Sequence, residues 1–113
     1  MTEEEKEHFL SLAKTDSSRV IADKIKNDVG DNQEFFNFLF SICLSEPYPI
    51  SMRTAHAMQF CCIDYPQLMK PFYTTLVNEI INTKMEGVRR SFLKIISECI
   101  DPFELEKDRK SVV

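Results

Sequence analysis

Apolar residues recur along this chain at a helical spacing, and polar punctuation marks where each run starts and stops. Phe9, Leu10 and Ala13 gather on one side of a segment that Thr2 and Glu5 open as a capping box, which predicts a lone first helix over 3–14. Ile21, Ile25 and Val29 mark a second helix from about Ser18, and Gly30 supplies its stop. Asp31 with Glu34 repeats the capping signature ahead of a third helix that ends near Leu44. Carrying Phe35, Phe36, Phe38, Leu39, Phe40, Ile42 and Cys43, this third helix is apolar on nearly every side and is expected to be the central, enclosed element.

Pro47 and Pro49 then interrupt the chain, and Ser51 is placed to cap a fourth helix over Met52 to Asp64. Tyr65-Pro66 breaks it. Pro71 suits the first turn of a fifth helix, whose stripe is Tyr73, Leu76, Val77, Ile80 and Ile81. Thr83 with Glu86 reads as a third capping box. The sixth helix that follows buries Val88, Phe92, Ile95, Ile96 and Cys99, and turns Arg90, Lys94 and Glu98 outward. Asp101-Pro102 resembles the start of a seventh. A chain of 113 residues with only two glycines has little supply of hairpin turns, so helices are its expected material.

Sliding the segment at Ser51 onto the one at Gly87, an offset of 36, places Arg53 on Arg89 and Pro66 on Pro102. Met52 then meets Val88, Ala57 meets Leu93, His56 meets Phe92 and Phe60 meets Ile96. Arg19 lies 34 residues before Arg53, at the start of the second helix. A period in the mid-thirties made of helix pairs implies a solenoid in which each pair covers its neighbour's apolar face.

The string Ser51-Met52-Arg53-Thr54-Ala55, followed by Tyr65-Pro66-Gln67-Leu68 and Pro71-Phe72, resembles the pattern of HEAT and armadillo-like helical repeats. Gly87-Val88-Arg89-Arg90 resembles the opening of the next repeat. The stretch from Ser18 to Asp108 is similar to a group of small bacterial HEAT-like proteins, some of them labelled adenylosuccinate lyase. The resemblance implies an all-α fold, an α-α superhelix of about six helices in antiparallel pairs: the lone helix 3–14, a pair over 18–44, a pair over 51–83 and a partial pair over 86–109. It implies a protein-interaction or scaffold module without catalysis of its own. Two alternatives travel with it. One is a nucleic-acid-associated protein, since some HEAT-like scaffolds bind DNA through basic residues on their concave helices; the other is a diverged lyase-like enzyme.

Charge and candidate chemistry bear on that choice. The chain holds 14 basic and 18 acidic residues, a net of −4, which disfavours a bulk nucleic-acid binder. Its longest uncharged run, Phe35 to Ser45, is too short to span a bilayer, and the opening Glu3, Glu4 and Glu5 are unlike a signal peptide, so the expected setting is cytoplasmic. Cys43, Cys61, Cys62 and Cys99 form no CxxC pair and read as core packing. His56 shares a helix with Cys61, Cys62 and Asp64, but neither i+3 nor i+4 from it is a ligand, so a packed core histidine is expected and no metal or cofactor. The remaining functional signal is basic. Residues 84–113 hold seven bases against six acids, while 1–34 hold five against nine. Arg53, Arg89, Arg90 and Lys94 are therefore the candidate interaction residues. Arg53 and Arg89 are expected to bond loop carbonyls or a carboxylate such as Asp64 or Asp101, and Arg90 and Lys94 to be balanced by Glu86 and Glu98. A solenoid ending here is expected to bare Ile95 or Ile96, Phe103 and Leu105, favouring an unknown protein partner or a second copy of the chain.

Overall fold

The first three helices each begin where a side chain catches a free N–H group. In this computed structural model, which describes residues 1–16 and 18–100, the regular elements are α1 (Glu3–Thr15), α2 (Arg19–Val29), α3 (Gln33–Ser45), α4 (Ile50–Asp64), a 3-10 segment (Pro66–Phe72), α5 (Tyr73–Asn82) and α6 (Glu86–Cys99). No strand occurs among the described residues, and the architecture is an all-α superhelix. Thr2 and Glu5 form their capping box, with N···O distances of 2.9 and 3.2 Å. Ser18 accepts from the Ile21 N–H at 3.3 Å, and Gly30 closes α2 at φ 54°, a conformation open to glycine at little cost.

Four predicted starts differ. The cap of α3 is Asn32, whose carbonyl oxygen accepts from the Phe35 N–H at 3.2 Å; a turn bond from the Asn32 N–H to the Val29 carbonyl delays the helix by one residue beyond Asp31. Ser51 caps nothing. Instead α4 starts at Ile50, and the Ser51 hydroxyl, fully buried, donates to Met85 Sδ at 3.1 Å. The Thr83–Glu86 box is not made, because the Thr83 hydroxyl accepts from the Met85 N–H at 3.2 Å while Glu86 turns to Arg89. Pro71 sits inside the 3-10 segment, and α5 begins after it at Tyr73.

The central helix is α4 rather than α3. It lies between α2 and α6, with α3 packed across it, and it buries Ala55, Ala57, Met58, Phe60, Cys61 and Cys62 together with Ser51, Thr54 and Gln59. Small residues in that series let neighbouring helices approach from several directions. In α3, by contrast, Asn37, Ser41 and Ser45 recur at i, i+4 and i+8 and are exposed, so a wet face runs through a sequence dense in phenylalanine. Its other faces feed the core. The Phe40 ring lies 4.7 Å from that of Phe72 and 5.7 Å from that of Phe92, tying α3, the 3-10 segment and α6 into one aromatic cluster.

At α6 the repeat register meets an end effect. Ala57 is buried on α4, whereas its equivalent Leu93 is 49% exposed, since α4 is flanked on both sides and α6 packs on α4 and α5. Ile95 is fully buried, as the stripe of the sixth helix predicts, and Ile96 is partly buried, so neither of the two isoleucines expected as alternatives at the end of the solenoid is bare. Phe103, Leu105, the seventh helix and the rest of the partial pair over 86–109 lie outside the described residues.

Three thiols are sealed in this core. Burial pushes the thiols of Cys43 and Cys61 up to about 12 and that of Cys62 higher still, while Cys99 is only partly buried. At about pH 8 such a group is thiolate to only about one part in ten thousand. A timed thiol titration is expected to modify Cys99 first in the folded protein and to reach the other three only after denaturant is added. Rapid reaction of a second thiol contradicts this packing.

Candidate functional site

Helical spacing brings one face of each of three helices to a common groove. On α4 the residues are Met52, Arg53, His56, Gln59 and Phe60; on α6 they are Gly87, Arg90, Ser91 and Lys94; on α2 they are Arg19, Ile21, Ala22 and Ile25. Within each set residues recur three or four apart, as in Met52–His56–Phe60, Gly87–Arg90–Lys94 and Arg19–Ala22–Ile25, which is the condition for sharing a helix face. The groove encloses about 520 Å³. Ile21, Ala22, Ile25, Met52 and Phe60 supply the apolar part of its lining, and α6 lies so close to α4 at one point that a Cβ on Gly87 would stand 2.7 Å from Met52 Cγ.

Positive charge dominates the rim. Arg19, Arg53, Arg90 and Lys94 line the groove against one carboxylate, Asp16, in a chain whose net charge is −4. Arg19 is held on two sides: its guanidinium sits 3.9 Å above the Phe60 ring, and its Nε donates to Asp23 at 3.2 Å. Arg53 donates from Nη1 to the Ala13 carbonyl at 3.2 Å, which ties α4 to the C-terminal turn of α1. Asp16 is kept below the usual carboxylate range by hydrogen bonds from Ser18 and by the nearby Arg53 charge. Arg90 and Lys94 form no ion pair among the described residues. The expected balance by Glu86 and Glu98 does not arise, since Glu86 is taken by Arg89.

Arg89, the repeat partner of Arg53, stands apart from the groove. It donates to the Ile80 carbonyl at 3.0 Å and the Thr83 carbonyl at 2.5 Å, and pairs with Glu86, so it fastens the end of α5 to the start of α6. Of the four basic candidates, the structure thus gathers Arg53, Arg90 and Lys94 and leaves Arg89 to the α5–α6 turn. Asp64, a carboxylate expected for such arginines, pairs with Lys26 at 3.3 Å instead.

His56 is not a core histidine. Where its repeat equivalent Phe92 is fully buried, His56 is partly exposed in the groove, with its ring 4.9 Å from that of Phe60. Partial burial and the Arg19 and Lys94 charges lower its pKa, opposed by Asp23. No hydroxyl or thiol hydrogen-bonds to it among the described residues, so it has no nucleophile to activate. Gln59 and Ser91 line the same space, each 7% exposed, and neither side chain makes a hydrogen bond within the described residues. Sequence reasoning passed over both. The available signal was a lone amide inside the run Met58-Gln59-Phe60-Cys61-Cys62. Among the described residues no cluster of His, Cys, Asp and Glu is placed to hold a metal ion, and no helix is long and apolar enough to cross a membrane.

The family model described as a HEAT repeat domain matches residues 10–108. No curated protein and no solved structure matches the chain.

Two outcomes test these assignments. Arg89→Ala removes charged donors from two carbonyls and is expected to lower unfolding stability by about 2 kcal/mol, whereas Arg90→Ala, one residue on, changes it by less than about 0.5 kcal/mol; urea titration separates them. For His56 the folded value lies below the ordinary 6.5, so the unfolded chain binds the proton first as pH falls. Stability is therefore full above that ordinary value and declines as pH drops through it toward the lower folded value. On lowering pH from about 7.5 to about 5, the wild-type denaturation midpoint is expected to fall relative to that of His56→Gln. Parallel curves would show that the groove does not disfavour the imidazolium.

Proposed function

The chain belongs to the HEAT repeat family, and on that premise we propose that it is a protein-interaction module that docks a partner in the groove between α2, α4 and α6, without catalysis of its own. The observation that carries this reading is the composition of the groove: an open, partly apolar cleft in which two cations, Arg90 and Lys94, have no ion pair among the described residues. Solenoid faces of this kind bind by presenting a continuous concave surface rather than by positioning reactive groups. The chemistry present agrees, since the one histidine in the groove has no adjacent nucleophile and its buried thiols are held protonated.

Nucleic acid is a poorer fit than protein. A polyphosphate approaching Arg90 and Lys94 also meets the carboxylates of Asp16 and Asp23 and a molecule that is acidic as a whole. Phe60 is 9% exposed and has the Arg19 guanidinium over its ring, which leaves little of that ring for a base to stack on.

A photo-crosslinking residue placed at Arg90 is expected to trap a discrete protein species in the host cell, and the same residue at Ile81, 70% exposed on α5 and outside the groove, is not. Equal yields at the two positions would speak against the groove as the docking face.

A further inference from the structure

Two kinds of polar group reach this groove without a partner among the described residues, and they differ in burial. Arg90 and Lys94 are exposed at its α6 wall, free of ion pairs among the described residues. Gln59 and Ser91 line it as well, more than nine-tenths buried, with no side-chain hydrogen bond among the described residues. Among the described residues no fully buried side-chain nitrogen or oxygen lacks a partner, so the Gln59 amide and the Ser91 hydroxyl, which line the groove, keep polar atoms accessible there. An amide left facing an apolar cleft forgoes hydrogen bonds that a bound group can supply.

The geometry points to an acidic peptide segment as the occupant: carboxylate side chains on Arg90 and Lys94, a backbone peptide group on the Gln59 amide and Ser91 hydroxyl, and aliphatic side chains on the apolar lining from α2 and α4. This rests on the docking reading above and names its chemistry. A carboxamide offers both a donor and an acceptor, as a peptide bond requires, whereas a phosphate would use the donor alone. Arginine pairs a carboxylate through two parallel N–H groups. The acid at one end of the groove sets a direction, because Asp16 repels negative charge near the start of α2 while Arg90 and Lys94 attract it at α6. A segment with its carboxylates toward α6 and its aliphatic side chains toward Ile21 and Ile25 satisfies both walls.

The test is fluorescence anisotropy with the full chain and a pool of short labelled peptides carrying Asp or Glu at alternate positions and Val, Leu, Ile or Ala between them. Saturable binding is expected, with the pool in which Asn and Gln replace the acids at least about tenfold weaker. Charge reversal at the exposed wall, Arg90→Glu with Lys94→Glu, is expected to cost a similar factor, and Lys84→Glu, which lies outside the groove, to cost none. Gln59→Leu keeps the volume and removes the amide, and is expected to weaken the acidic pool with the helical circular-dichroism spectrum unchanged. His56 adds a readout that a merely sticky surface lacks: a carboxylate seated on Lys94 offsets one of the charges that lower its pKa, so the imidazole midpoint rises on binding. Equal affinity for the neutral pool, tighter binding of a single-stranded oligonucleotide than of the acidic pool, or no binding at all overturns the proposal. If the crosslinker at position 90 still traps a protein while the acidic pool fails, the chemistry assigned here falls and the docking reading stands; failure of both removes both.

Discussion

The enclosure of α4 is the constraint from which the other features follow. A helix packed by α2, α3 and α6 has to be narrow where its neighbours come closest, and Ser51, Ala55 and Ala57 make it so. With the helices that close, polar atoms on α4 need partners or access to solvent. Ser51 finds Met85, Thr54 bonds back to the Ile50 carbonyl at 2.7 Å, and Gln59 opens into the groove. The groove is thus the place where close packing stops, between the starts of three helices laid side by side.

Electrostatics give that place its character. An acidic protein concentrates four cations around one cleft, and the arginines at corresponding repeat positions, Arg19, Arg53 and Arg89, differ in employment, Arg89 lying outside the cleft. Arg53 ties α4 to α1, Arg89 ties α6 to α5, and Arg19 lies on Phe60 beside Asp23. Such arginines hold the solenoid together by bonding carbonyls that helix ends leave free. Arg90 and Lys94 stand outside that task, which is why they carry the functional reading.

Periodicity made the helices legible because the stripes of α2, α5 and α6 are strong and their breaks fall at Gly30, Pro47, Pro49 and Pro66. Which helix is central was not legible. Counting apolar residues favours α3, with its phenylalanines, over α4, whose serine, threonine, alanine and glutamine are buried through tertiary packing that no local pattern encodes. Caps were read one residue out at Asp31 and wrongly at Ser51, since a serine or aspartate before an apolar run shows the same pattern whether its side chain caps, packs or faces water. For the groove, Arg53, Arg90 and Lys94 were found as charges without a place. His56 was misplaced because the repeat register treats α4 and α6 as equivalent, whereas α4 turns at that position toward an open cleft and α6 toward the aromatic cluster.

The contact between Gly87 and Met52 acts as a calibre stop. Because Gly87 carries no side chain, the Met52 side chain packs directly onto the α6 backbone there, and the cleft opens out from that pinch. A single methyl group at position 87 would work as a shim, pressing on a methionine that has other rotamers to adopt, and the jaw bearing Arg90 and Lys94 would be reset relative to the Gln59 amide. Selectivity for one strand over a bulkier ligand is in this way adjustable from outside the set of residues that touch it.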